Sequence, residues 1–246
     1  MNPIPKDQLI MGVHPIDELL RHAPEKIIRI FTLSSKKSDI LRRCEQKNIP
    51  ISSVSADQLG KMTGSDSHQM LVAQIQRRNY LDVAAFLEEA EEHSLVLMLD
   101  QIFDPQNFGA LIRSAECFGA AAIAWSKNRG SDLTPVAAKA SCGASEWMPL
   151  IRISNLANGV DQFKKGGFEA VAAVLDPSSE SAYTFAYAPR TVLIVGSEGE
   201  GIQPLLRKKA DRSIYLPMQG KIASLNVAQA TAALLALRGR SLGPRQ

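Results

Sequence analysis

Three stretches in the second half of the chain gather residue types that could do chemistry. The first, Asp100-Gln-Ile-Phe-Asp104-Pro105-Gln106-Asn107-Phe-Gly109, follows an apolar run and leads into a helical pattern that holds Arg113. In that pattern Leu111, Ala115 and Phe118 share one face by i, i+4, i+7 spacing. Arg113 lies about 200° round the axis from Leu111, free to contact something outside the core. A solvated helix arginine is the plain alternative, and Asn107-Phe-Gly109 by itself also reads as turn chemistry. The second stretch, Gly196-Ser197-Glu198-Gly199-Glu200-Gly201, sets three glycines directly after the apolar run 192–195, which suits close backbone approach to a ligand. A bare glycine-rich turn is the alternative, and Glu198 suits either a helix start or a ligand contact. The third runs from Pro217-Met-Gln-Gly220 through Ser224-Leu-Asn226 into a helix that is apolar nearly all round, expected to be buried on several sides. Ser224 and Asn226 stand where side chains cap free N–H groups. Capping accounts for one of them, and two polar groups beside Gly220 suit a small-molecule seat.

Several chemistries are excluded. The glycine order is neither the dinucleotide fingerprint nor a P-loop, and Ser197 directly follows its glycine, unlike a nucleophile elbow. All four histidines (His14, His22, His68, His93) fall in the first 93 residues. Catalysis in the remainder therefore uses no Ser-His-Asp triad, Cys-His pair or histidine metal site of its own segment, and no metal is expected. Cys44, Cys117 and Cys142 are odd in number and lack CxxC spacing, which fits reduced cytosolic thiols.

The chain has 246 residues, 45% apolar and 22% charged, an ordinary globular mixture. No apolar stretch approaches the ~18 residues that span a bilayer, and the N-terminus carries no secretory pattern, so the expected location is cytoplasmic. The net charge of +3 is unevenly spread. Residues 1–80 carry 12 Lys+Arg against 8 Asp+Glu, residues 81–93 carry five acids and no Lys or Arg, and residues 94–246 carry 16 against 12. Two mildly basic blocks joined by an acidic helix point weakly to a polyanionic partner. Arg42, Arg43, Arg77, Arg78, Arg207, Lys208 and Lys209 are the candidate contacts, with solvated surface the commoner meaning of any one of them.

The elements that must position the three stretches form two blocks. In the first, a strand at 27–31, a helix capped by Ser38 or Asp39, an extended piece at 49–51, a helix from 54 and a strand at 71–75 make a small α/β sandwich. Residues 80–93 read as a helix with Leu81, Ala84, Ala85 and Glu88 on one face. Buried strands are then expected at 95–99, 121–125, 170–175, 192–195 and 213–216, with helices at 108–118, 133–140, 155–165, 202–210 and 226–238. Alternation of this kind gives an open, mostly parallel sheet with its ligand site in loops at the strands' carboxyl ends.

Taken together, the sequences 100–120, 193–202 and 216–237 closely resemble the three signature motifs of the SpoU (TrmH) branch of the SPOUT RNA methyltransferases, and 133–150 resembles the segment between them. The first block, through Gly12-Val-His14-Pro15 and His68-Gln69, resembles that family's substrate-binding domain, which is similar to a ribosomal-protein RNA-binding fold. The resemblance implies an RNA-binding domain over 1–79, a linker helix over 80–93 and, over 94–246, a parallel-sheet α/β methyltransferase domain whose chain threads into a trefoil knot, an exception to the rule against knots. It implies S-adenosylmethionine as cofactor, at Gly196, Leu216, Met218 and Leu225. It further implies methyl transfer to a ribose 2′-hydroxyl of RNA, with Asn107, Arg113, Glu198, Ser224 and Asn226 as the catalytic positions. Arg113 matches the arginine proposed as general base. A guanidinium keeps its proton in proteins, so the role open to it is gripping an RNA phosphate and stabilising the developing alkoxide. The two-domain layout resembles the members that modify a guanosine of 23S rRNA. Other members act on tRNA or other rRNA nucleotides, and a catalytically silent RNA-binding relative would keep the fold. A homodimer through the knot region is implied, with neither DNA nor membrane as partner. Two departures stand out: Arg113-Ser114-Ala115 where the family reads Arg-Thr-Ala, and Ala228-Gln229 after Asn226-Val.

Overall fold

A computed structural model describes residues 4–33, 38–221 and 224–242. Residues 222 and 223, inside the third signature stretch of 216–237, lie outside the described residues.

The first unit begins with Leu9–Met11 (β1) and Val13–His22 (α1), continues through Ile27–Thr32 (β2), Asp39–Gln46 (α2), Ile51–Ser53 (β3) and Ala56–Thr63 (α3), and closes with Leu71–Ile75 (β4). Its sheet order is β1-β4-β2-β3, with β4 antiparallel to β1 and β2, and β3 parallel to β2. Ser38 caps α2 through Leu41 N at 3.4 Å, and Ser55 with Gln58 forms a capping box on α3. The sequence reading passed over β1 and α1. Three consecutive apolar residues show no alternation, and Pro15 interrupts the pattern, although Pro is tolerated in a first turn where no intrahelical N–H is required.

The second unit runs through Val83–Glu89 (α4), Leu95–Leu99 (β5), Pro105–Cys117 (α5), Ala122–Ser126 (β6), Pro135–Ala140 (α6), Leu150–Ile153 (β7), Leu156–Lys165 (α7), Glu169–Ala173 (β8), Glu180–Ser181 (β9), Thr191–Val195 (β10), Pro204–Lys209 (α8), Arg212–Tyr215 (β11) and Val227–Leu242 (α9). The sheet order is β7-β6-β5-β10-β8-β11-β9, and every neighbouring pair is parallel. Central β5 and β10 are buried throughout. Their alternate residues feed two different cores, as a strand of period two requires. Leu95, Leu97, Leu99, Leu193 and Val195 pack with Phe108, Leu111 and Leu234 of α5 and α9. Val96, Met98, Val192 and Ile194 pack with residues of α4, α7 and α8. The first of these cores continues into Ile10, Leu19 and Ile30 of the small unit, so one apolar interior joins the two sheets.

Several local expectations shift. Helix α5 starts at Pro105, because Asp104 caps it through Gln106 N (3.0 Å) and Asn107 N (3.3 Å) and proline suits the first helical position. Asn107 and Gly109 are therefore helical and not turn residues. A Cβ on Gly109 would sit 2.2 Å from Ala137 O, so glycine is what lets α5 lie against α6. Within 80–93, α4 buries Val83 and Phe86, while Ala84 and Ala85 are exposed. The larger side chains win the core face because burial stabilises in proportion to apolar area. The short strands β7 and β9 were not read at all.

Candidate active site

The loops after β5, β10 and β11 meet at the carboxyl edge of the parallel sheet. The loop 196–203 is pinned at both ends by one residue. Asp100 donates its N–H to Val195 O at 2.9 Å, and its fully buried carboxylate accepts from Gln203 N and Gln203 Nε2, both at 2.7 Å. Between those ends the loop doubles back, with Gly201 N donating to Ser197 O at 3.0 Å. A Cβ on Gly196 would fall 2.2 Å from both C and O of Gly201, whereas one on Gly199 would meet nothing within 4 Å. The demand for glycine at 196 comes from the loop's own backbone.

Glu198 is carried on this loop to the start of α9. Its Oε1 accepts from Asn226 Nδ2 at 2.6 Å, Asn107 Nδ2 at 3.2 Å and Val227 N at 3.3 Å. Asn226 Nδ2 also donates to Asn107 Oδ1 at 2.9 Å, while Asn226 Oδ1 caps α9 through Ala228 N at 2.9 Å. Glu198 thus does act on a helix start, that of α9, and Asn226 is both cap and cluster member. Three of the five expected catalytic positions are joined in one hydrogen-bonded cluster, drawn from the first turn of α5, the 196–203 loop and the start of α9.

Beside the cluster lies a cavity of about 420 Å³, within the range of small-molecule sites. Gly196, Leu216, Met218 and Leu225, the four expected cofactor positions, all line it, and so does Ser224. Its walls combine apolar side chains such as Ile214 and Leu234 with the open glycine backbone of 199 and 201. Two hydroxyls on the lining, Ser197 Oγ and Thr231 Oγ1, are buried without a partner among the described residues. Buried polar atoms are nearly always paired, so these two fit a ligand with both polar and apolar parts, as S-adenosylmethionine is. Gly196→Ala is expected to weaken S-adenosylmethionine binding at least tenfold by forcing the loop open, while Gly199→Ala stays within about twofold; a cofactor titration of both variants reads the contrast.

Arg113 stands apart. It is exposed on α5, does not line the cavity, and its Nη1 lies 3.3 Å from Cys142 Sγ. Sequence reasoning gave Asp100, Ser197 and Thr231 no role. For Asp100 the available signal was an acid placed directly after a wholly apolar strand. Among the basic candidates, Arg78 is buried against Glu146, while Arg42, Arg43, Arg207 and Lys209 pair with Asp39, Asp17, Asp176 and Asp161. Burial pushes the Cys44 thiol up to about 11, which marks it as a packed, unreactive group.

Known proteins share both units. The SpoU rRNA Methylase family matches residues 94–236, and a family described as RNA 2′-O ribose methyltransferase substrate binding matches residues 9–81. The 23S rRNA (guanosine-2′-O-)-methyltransferase RlmB of Haemophilus influenzae is 32% identical over 233 residues, 92% of this chain and 94% of that one. Its Escherichia coli counterpart is 31% identical over 246 residues, covering 95% and 99%. The SpoU methyltransferase AviRb of Streptomyces viridochromogenes, solved in complex with AdoMet, superposes with a TM-score of 0.79 over 95% of this chain and 89% of its own, at 22% identity, a likeness of fold. With a match over most of the second unit and whole-length relatives above 30% identity, this chain belongs to the SpoU rRNA methylase family.

Proposed function

We propose that this protein transfers a methyl group from S-adenosylmethionine to the ribose 2′-hydroxyl of a guanosine in 23S rRNA. The observation that carries the reading is the Asn107–Glu198–Asn226 cluster beside a cavity lined by all four expected cofactor positions. When bound, the cofactor supplies an electrophilic sulfonium methyl, and in-line attack on it requires chiefly positioning and a handle on the hydroxyl proton. The apolar walls and the 196–203 loop hold the cofactor side. Glu198 fixes Asn107 and Asn226 relative to α9, so the polar groups are set before substrate arrives. Arg113 grips the RNA phosphate and stabilises the developing alkoxide, which a permanently charged bidentate guanidinium can do. Arg113→Lys is expected to abolish transfer while leaving cofactor affinity unchanged; full activity in that variant would remove the role.

The exposed face of α9 supports a homodimer. Its buried residues, including Thr231, Leu234 and Leu235, lie on one side, and Ala228, Ala232, Ala233, Ala236 and Leu237 remain partly or fully exposed in a single chain. The expectation of burial on several sides is met only if a second copy covers them. Arg113 does not line its own chain's cavity, and on this reading it would serve the second copy's site. The small unit, 1–79, is assigned to RNA binding, 80–93 to the link and 94–246 to catalysis. An rRNA substrate supports a cytoplasmic location. Separately, no helix among the described residues is long and apolar enough to cross a membrane.

The test is transfer of labelled methyl from S-adenosylmethionine to protein-free large-subunit rRNA, beside bulk tRNA, with nucleoside analysis of the product. 2′-O-methylguanosine confined to rRNA is the expected result. Label in tRNA would move the target, and cofactor binding without transfer to either RNA would overturn catalysis on free RNA.

A further inference from the structure

The loops after β5 and β6 carry a group that the reaction described above does not use. Phe103 is 63% exposed, more than any other phenylalanine of the chain, while its neighbour Ile102 is buried. Ile102 anchors the loop, its carbonyl accepting from Ser131 N at 2.6 Å, and a Cβ on Gly130 would lie only 3.0 Å from that same oxygen. The two loops are therefore in backbone contact. Phe103 stands directly after the contact on one strand's loop and Arg129 directly before it on the other.

The second loop carries two cations, and its acid, Asp132, is paired with Arg152 at 2.8 Å. Lys127 and Arg129 are both exposed. Arg129 Nη1 donates to Gln203 Oε1 at 2.7 Å, and Gln203 is itself held by the buried Asp100. Arg129 is thereby fixed to the same residue that closes the cofactor-side loop. The one acid beside Phe103, Asp104, already spends its two oxygens on the first N–H groups of α5. Asn107 follows Phe103 by four residues, across the start of α5, and belongs to the Asn107–Glu198–Asn226 cluster.

An exposed aromatic ring on a loop that touches a loop bearing two cations, one of them held in place, has the chemistry that holds an unpaired nucleotide, the ring stacking on the base and the cations meeting phosphate. We propose that Phe103, with Lys127 and Arg129, forms a stacking platform for an unpaired RNA base next to the ribose presented at the Asn107–Glu198–Asn226 cluster. The platform gives the enzyme a grip on single-stranded RNA that is independent of the small unit. This inference rests on the RNA methyl-transfer reading and names part of its substrate site.

The experiment uses the full chain and a fluorescent single-stranded RNA of about 12 nucleotides, with binding read by anisotropy across a salt series. Phe103→Ala and Phe103→Leu are both expected to weaken binding about tenfold, and Phe103→Trp to keep it within about twofold, because leucine retains apolar bulk but has no π-face. Lys127→Ala lowers the slope of log affinity against log salt by about one. Cofactor affinity and the mass of the assembly by light scattering stay unchanged throughout. Wild-type affinity in the leucine variant, or equal affinity in all variants, overturns the platform. A smaller assembly in Phe103→Ala also overturns it, since the ring would then cover a second copy. Failure of the wild-type protein to bind this RNA sinks the platform outright. Methyl transfer to rRNA, measured on the same samples, is a separate readout: stacking effects without any transfer would leave the platform standing and remove the enzymatic reading.

Discussion

Glu198→Ala is expected to lower kcat/KM for methyl transfer about 100-fold, and Glu198→Gln to lower it about tenfold. The difference between the two is the informative part. All three donors in the cluster, Asn107 Nδ2, Asn226 Nδ2 and Val227 N, converge on the single oxygen Oε1. A glutamine can place its carbonyl oxygen at that point and keep the geometry, losing only the charge that strengthens each bond. Alanine removes the hub, so Asn107, Asn226 and the first turn of α9 lose their common partner. Displacement of a polar group by about 1 Å is enough to cost two orders of magnitude in a reaction that depends on alignment. Glu198 is exposed and outside both cores, so thermal stability should change little in either variant. Single-turnover transfer, with rRNA and cofactor saturating, separates this from a binding defect. If glutamine is as damaging as alanine, the charge itself is required near the reacting centre, and if alanine retains near-normal turnover the cluster is only structural.

The sequence made the large sheet legible where burial is complete. Runs such as Leu95–Leu99 and Thr191–Val195 are apolar at every position because both faces are covered, and their strand character is then the simplest reading. It was least legible at the edges, where β7 and β9 are four and two residues long and leave almost no pattern. In α4 the period was visible but the wrong stripe was chosen, since alanines satisfy the spacing as well as Val83 and Phe86 while offering less area. The site divides in the same way. That three loops lie at the strand ends follows from the parallel order. That Asn107 would bond Glu198, 91 residues away, and Asn226, 119 away, is not written in any local pattern. Only likeness to a family grouped them. Gly196 was noticed for the right residue type, but its requirement lies in the backbone of Gly201, a contact that periodicity cannot express. Arg78 was misplaced on the surface for a related reason. A basic residue beside another, Arg77, looks solvated until its buried partner is known.

That partner supplies the second large effect. Glu146→Ala is expected to destabilise the protein by about 3–5 kcal/mol, which corresponds to a Tm lower by about 6–20 °C for a chain of this size. Arg78 leaves the small unit just beyond β4, and Glu146 sits in the short turn between α6 and β7. Their side chains are 5% and 2% exposed. Arg78 Nε donates to Glu146 Oε1 at 3.0 Å, Arg78 Nη1 and Nη2 donate to Asp7 O and Glu146 Oε1, and Ser145 Oγ adds a bond at 2.8 Å. Lys26 Nζ reaches Glu146 O at 2.9 Å from the small unit. Truncating the acid leaves a guanidinium buried without a counter-charge, and that uncompensated charge, more than the lost attraction, sets the cost. The argument therefore predicts recovery when both charges go: Arg78→Met with Glu146→Leu should return most of the loss, since a packed apolar pair is often as stable as a buried ionic one. Urea and thermal unfolding of the wild type, Glu146→Ala and the double variant measure this directly. Two separated transitions in Glu146→Ala alone would mean that the pair couples the two units as well as stabilising them. The cofactor cavity takes no residue from this junction, so affinity for S-adenosylmethionine should hold at temperatures where the variant is folded, while KM for rRNA rises as the small unit loses its fixed orientation. A double variant as unstable as the single one would show that shape, and not charge, is what the junction requires.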